Sequence, residues 1–133
     1  MPLPLRGKTV SRCIVDTAFA IDFVEGDKRS TIRIEGRFVL SRDGDETPLS
    51  VDRIEDMGKA LVLIGKTVSK ALARGSGALG LTFVDGTELS VPPDPSREAW
   101  EFVASDRSVV VSLAGGGLSS WAKVERPKTR GKP

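Results

Sequence analysis

Two stretches carry the residue types from which phosphate-binding sites are built: Gly7-Lys8-Thr9 and Gly65-Lys66-Thr67, each continued by Val-Ser. A nucleotide loop ending in Gly-Lys-Ser/Thr also needs a glycine five positions earlier. It must lie between a strand and a helix, so that successive backbone N–H groups can cradle phosphate. Here those positions are Pro2 and Ala60. The hydrophobic pattern also places Gly65 after a helix and before a strand, the reverse order. The word is read as structural. Asp43, Asp45 and Glu46 offer oxygen ligands for a hard cation, but Pro48 and Leu49 stand where a calcium loop would continue its ligands. Glu98 and Glu101 would suit glycoside hydrolysis only if the fold set two carboxyls across a cleft. The chain has no histidine, no tyrosine and one cysteine, Cys13. Histidine-based nucleophile systems and thiolate or histidine metal cages are therefore excluded, and acid–base chemistry would fall to carboxylates, lysines or Cys13. The expectation is a protein that is not an enzyme, with no catalytic, metal or cofactor-binding residues.

Recognition chemistry has better candidates. Trp100 alternates with Glu101 in a strand pattern and is expected in the core, as is Cys13 in place of a small apolar residue. Trp121 ends the last apolar segment and stands beside a basic tail, so it is a candidate anchor for a partner. Arg107, Lys123, Arg126, Lys128 and Arg130 complete the candidate partner-binding set. Residues 123–133 hold five basic residues against Glu125, a net +4, whereas the whole chain is +2. The body over 1–122 is therefore net −2, with fifteen basic and seventeen acidic residues. The tail lacks an apolar face and is expected to be disordered. It offers screened, sequence-independent attraction to nucleic acid.

The elements that must position these residues are mostly strands. Length fits one domain over 1–122, and no apolar run approaches the roughly 20 residues of a membrane span. Residues 8–15 are β-branched, and Phe19, Ile21 and Phe23 then alternate on one face. Thr31–Leu40 reads as further strand with a bulge at Gly36, and Asp43–Pro48 as loop. A helix capped by Ser50 is predicted over 51–63, with Ile54, Met57, Leu61 and Ile64 as its apolar stripe. The second Gly-Lys-Thr-Val-Ser then opens a repeat of the first pattern. Val68 falls on Val10, and Leu79, Leu81 and Phe83 fall on Phe19, Ile21 and Phe23. Phe23-Val24-Glu25-Gly26 and Phe83-Val84-Asp85-Gly86 make matching turns, and Trp100 and Phe102 take the places of Phe38 and Leu40. An internal duplication of 7–40 and 65–103 follows. A hairpin over 107–122, turning at Gly115-Gly116-Gly117, is expected as an addition to the second half. The predicted fold is mainly β, at the margin of α+β. Two duplicated antiparallel meanders form a roll, open barrel or sandwich, joined by one helix.

Gly80-Leu81-Thr82-Phe83-Val84-Asp85-Gly86, Glu98-Ala99-Trp100 and Ala114-Gly115-Gly116-Gly117-Leu118-Ser119-Ser120-Trp121 together resemble a small actinobacterial domain-of-unknown-function family. Its second half reads Gly-x-Leu-x-Phe-x-Asp-Gly, Glu-Ala-Trp and Pro-Gly-Gly-x-Leu-x-x-Trp. Here the first glycine sits one place nearer and Ala114 replaces the proline. The resemblance spans about residues 7–121. It implies a bacterial protein and the β-rich fold, and carries no activity with it. Similar small domains occur among bacterial toxin-neutralising proteins.

The function expected from these residues is non-catalytic binding of a protein partner, of the toxin-neutralising or another accessory kind. The alternatives are nucleic-acid binding aided by the tail and a carboxylate-dependent hydrolase. The lone cysteine and the absence of an apolar leader in Met1–Arg6 point to the cytoplasm. A homodimer is left open.

Overall fold

A computed structural model describes residues 1–122. Alternating apolar residues decide which side of each strand is buried. In the first half the strands are β1 (Thr9–Val15), β2 (Phe19–Glu25), β3 (Lys28–Ile34), β4 (Arg37–Arg42) and β5 (Asp45–Ser50). A short helix α1 (Ile54–Ala60) and a 3-10 turn (Leu61–Leu63) follow. The second half supplies β6 (Val68–Ala73), β7 (Leu79–Phe83), β8 (Glu88–Val91), β9 (Trp100–Val103), β10 (Val109–Ser112) and β11 (Leu118–Trp121). They form two antiparallel sheets, ordered β1-β2-β3-β9-β10-β11 and β5-β4-β8-β7-β6, which do not close into a barrel. Between them lies a single core of aliphatic side chains with Phe19, Phe23, Phe38, Phe83, Trp100 and Phe102. Phe19 and Phe38 stack across it with ring centroids 5.5 Å apart. The architecture is a two-sheet β-sandwich.

Each half gives a three-stranded meander to one sheet and then crosses to the other. The first crossing, at Glu35-Gly36, leads from β3 into β4. The second, over residues 92–99, leads from β8 into β9. Strand β3 pairs with β9, and β8 with β4, so each meander is extended by the other half's crossing strand. The registers correspond as well. Ile21 faces Ile32, which faces Phe102; Leu81 faces Leu89, which faces Leu40. Both first strands carry a register shift at the serine of the shared word, between Val10 and Arg12 and between Val68 and Lys70. The hydroxyls of Ser11 and Ser69 donate to the Asp22 and Thr82 carbonyls across those bulges, at 3.3 and 3.1 Å.

Several expectations need correction. Residues 45–50 form β5 rather than loop, pairing along all of β4. Pro48 is tolerated because β5 is an edge, where one row of N–H groups has no strand to bond. In strand order β5 is the counterpart of β10, so only β11 lacks a partner in the first half. The predicted strand over Thr31–Leu40 is two strands, broken where the chain changes sheet. The helix is also shorter than 51–63. Ser50 belongs to β5, and Arg53 holds the N-cap position without a side-chain cap. Asp56 turns back to accept from the Ser50 amide at 3.1 Å. The helix buries Met57 and Ala60, and the 3-10 turn buries Leu63. Ile54, Leu61 and Ile64, assigned to the buried stripe, face solvent. Two helical turns cannot carry an eleven-residue stripe, because the 3-10 turn changes the angle per residue.

Candidate functional site

The two Gly-Lys-Thr-Val-Ser words meet. Val10 donates to the Lys66 carbonyl and Val68 to the Lys8 carbonyl, both at 2.9 Å. Gly65 donates to Val10 at 2.9 Å and Gly7 to Val68 at 2.8 Å. The Thr9 and Thr67 hydroxyls lie 2.9 Å apart at the centre of this antiparallel junction. The Lys8 and Lys66 amides close 3.0 Å turns onto the Leu5 and Leu63 carbonyls. The amides that a phosphate would need are spent inside the fold. Gly7 and Gly65 adopt φ of 85° and 91°, a region open to glycine at little cost, so the word marks a turn into a strand. The matching unit also begins earlier than the word, at Leu5 and Leu63, both fully buried.

Each word's lysine reaches the acid of its own half's turn. Lys8 Nζ is 3.7 Å from Glu25, and Lys66 Nζ is 2.5 Å from Asp85, which Arg42 also approaches at 3.3 Å. The Lys66 hydrogen bond, followed by the bonds from Thr87, holds the Asp85 carboxyl well below the ordinary carboxylate value of 3.8. Because the folded value is depressed, Asp85 stabilises the fold above its unfolded pKa, and that contribution disappears as pH falls toward the folded value. Carboxyl-carbon NMR should therefore find Asp85 still ionised well below pH 3.8. In Lys66→Met its midpoint should move up toward that value; an unchanged midpoint would remove Lys66 as the main cause.

This corner carries an apolar surface. Val62, Ile64 and Val84 are 60%, 49% and 70% exposed. Ile64 and Val84 line one hollow with Lys66 and Asp85. Val62 lines a neighbouring groove of about 570 Å³ with Lys66, Lys59, Arg42 and Asp45. Lys66 borders both, so the three apolar side chains lie around one charged centre. Sequence reasoning placed Ile64 on the buried stripe, gave Val62 no role and read Val84 only as part of a turn. The available signal was Leu61-Val62-Leu63-Ile64, four consecutive large apolar residues, which one short turn cannot bury together.

Four of the acids act as turn-makers. Asp16, Asp85, Asp94 and Asp106 each accept from the amide two residues ahead, at 2.8 to 2.9 Å. Asp22 is buried on the outer face of the larger sheet, bonded by Arg12 at 2.6 Å and Thr31 at 2.8 Å. Glu98 and Glu101 do come together, lining a hollow of about 340 Å³ with Glu35, Arg97 and Trp100. Glu35 in that hollow is bound by Arg33 at 2.8 Å. Among the described residues no three acids or Cys13 are grouped as a metal site. Asp43, Asp45 and Glu46 lie on the β4–β5 turn and edge. Burial, with Asp22 adding repulsion, pushes the Cys13 thiol up to about 11, so it is a poor nucleophile at neutral pH.

Trp100 is fully buried, whereas Trp121 is 46% exposed on edge strand β11. Arg107 sits in the β9–β10 turn with φ of 75°, two residues before Val109, which pairs with Trp121. The structure thus brings Arg107 and Trp121 to the same end of β10. Lys123, Arg126, Lys128 and Arg130 lie outside the described residues. No helix among the described residues is long and apolar enough to cross a membrane.

Over the described residues these features define an antiparallel sandwich of eleven strands, whose two sheets are joined by crossing strands and by the Thr9–Thr67 junction. The chain belongs to a family of unknown function, DUF6188, whose model matches residues 1–122. No curated protein and no solved structure matches it.

Proposed function

We propose that the protein is a non-catalytic binding module that docks a protein partner on the corner formed by Val62, Ile64 and Val84 around Lys66. The observation that carries this reading is three large apolar side chains left in water around one ion pair. Apolar centres with polar surroundings are the usual anatomy of protein interfaces. Val62 comes from the α1 and 3-10 segment that precedes the second matching unit, and Ile64 stands where the first unit has Arg6. We also read residues 7–40 and 65–103 as copies of one ancestral unit. Their shared word, matched bulges and corresponding registers support this. On this reading α1 and the start of the 3-10 turn are an addition to a duplicated scaffold. Toxin neutralisation is the accessory role we favour, by analogy with similar small bacterial domains.

The test is affinity capture from the native host with the full chain and with a Val62→Asp/Val84→Asp variant. Both positions are exposed, so the fold should survive. A partner held by the wild type and lost by the variant supports the reading. If the partner is a toxin, the purified pair should show its activity blocked at one-to-one stoichiometry. An identical captured set for both chains would reject this corner as the interface.

A further inference from the structure

The two halves differ in what lies along the outer edge of their first strand. β6 is covered by the N-terminal segment. Leu3 donates to the Ala71 carbonyl at 3.0 Å, and Ala73 donates to the Met1 carbonyl at 2.8 Å. Pro2 stands opposite Leu72 between these two bonds, so residues 1–3 run antiparallel to β6. Leu3 is buried there, and so are Ala71 and Ala73 beneath it.

β1 is the counterpart of β6, with the two words fifty-eight positions apart. Both strands are bonded at their start by the opposite word, bulge at its serine and then run on to a turn. At those turns Asp16 donates to the Ala18 carbonyl and Arg74 to the Ala78 carbonyl, at 3.0 and 2.8 Å. Alternation back from them turns Ile14 and Leu72 toward their hairpin partners, and Cys13, Val15, Ala71 and Ala73 toward the outer edge. The Cys13 carbonyl and Val15 amide thus correspond to the Ala71 carbonyl and Ala73 amide. Among the described residues they have no backbone partner on that side. The residues fifty-eight positions on from Met1–Leu3 are Lys59, Ala60 and Leu61, which lie in α1 and the 3-10 turn. Helical backbone bonds to itself and cannot complete a strand edge. Ile14 and Val15 are accordingly exposed, Val15 by 38% where Ala73 is fully buried, and Cys13 is half-buried at the margin of the core.

We propose that β1 accepts an extended segment of another protein by strand addition, antiparallel to Cys13–Val15 and with an apolar side chain opposite Cys13. The other half of the molecule shows the chemistry of the occupant. It needs a backbone donor and acceptor two residues apart, as in Leu3 and Met1, and a large apolar side chain where Leu3 lies opposite Ala71. Backbone bonds supply the attraction, and the inward side chain supplies the selectivity. The chain's own Met1–Leu3 segment is engaged on β6, so the added segment comes from a second protein. This edge is a different surface from the corner of Val62, Ile64 and Val84.

The experiment titrates the isotope-labelled full chain with a synthetic peptide of residues 1–7, Met-Pro-Leu-Pro-Leu-Arg-Gly, followed by amide NMR. The Cys13, Ile14 and Val15 amides should shift saturably. Leu3→Asp in the peptide should weaken binding by about tenfold or more, the loss expected for one buried leucine. Val15→Pro in the protein removes the outward donor at an edge, where proline is tolerated, and should abolish the response. N-methylation of the peptide's Leu3 removes the opposing donor without altering the protein and should do the same. No shift up to the solubility limit of the peptide overturns the proposal. A response confined to Ala71–Ala73 also overturns it, since the peptide would then be displacing the N-terminal segment. Movement of the Cys13–Val15 amides on deleting residues 123–133, or on concentrating the protein alone, would assign the edge to the chain's own end or to a second copy, and overturn it equally. Binding should survive in Val62→Asp/Val84→Asp; its loss there would move the peptide to that corner and away from β1.

Discussion

Trp100→Ala should lower the stability of the fold by about 4 kcal/mol, the middle of the range for deleting a buried aromatic. The side chain is fully buried at the start of β9, where the second half crosses into the larger sheet. Its Nε1 donates to the Gly77 carbonyl at 2.8 Å, tying that strand to the β6–β7 turn of the other sheet. The Ser112 hydroxyl donates to the same carbonyl at 2.8 Å, so removing the indole does not orphan the acceptor. The loss is therefore chiefly cavity and apolar contact. For a domain of this size it corresponds to a fall in melting temperature of roughly 15 °C. Trp100→Phe retains most of the packing and should cost about 1–2 kcal/mol. Urea titration monitored by far-ultraviolet circular dichroism checks both. A loss below about 1 kcal/mol for the alanine variant would contradict the packing described for this position.

Gly77→Ala should be nearly as damaging, about 3 kcal/mol, for a backbone reason. Gly77 has φ of 98°, and an added Cβ would lie 2.9 Å from Ser112 Oγ, 3.0 Å from the Gly117 carbonyl oxygen and 3.1 Å from its nitrogen. The serine could rotate away; the Gly117 backbone cannot, because its amide is bonded to the Ser76 carbonyl at 2.9 Å. Gly75→Ala, two residues earlier, is the internal control. Its Cβ meets nothing within 4 Å and its φ is unremarkable, so it should be near neutral. Because Gly77 also receives Trp100 Nε1, the two damaging substitutions should combine non-additively. A full sum of their separate costs would indicate that turn and indole are energetically independent.

The strand pattern of this sandwich was legible where alternation and turns agree. Phe19, Ile21 and Phe23 announced a buried face, and Leu79, Leu81 and Phe83 announced a second one in the same register. The core position of Trp100 followed from its place in that pattern and is borne out by its burial. Errors arose where one segment meets two environments. Asp45–Ser50 has loop composition, yet pairs as an edge strand, because an edge needs hydrogen bonds on one side only and tolerates Pro48. The stripe through Ile54, Leu61 and Ile64 assumed one uninterrupted helix. The chain instead tightens into a 3-10 turn and turns those side chains outward. The candidate docking corner was hidden by the same assumption.

Sequence alone determined the repeated word, the turn acids, the face each long strand would bury and the lack of histidine chemistry, because these depend on residue type and short spacing. Only the tertiary structure decided that the two Gly-Lys-Thr-Val-Ser segments bond to each other. Likewise, only the structure decided that each half's meander is completed by the other half's crossing strand. Those outcomes depend on pairings between residues some sixty positions apart, which are fixed jointly by both halves folding onto one core. Local alternation specifies a face; it does not specify what comes to cover it.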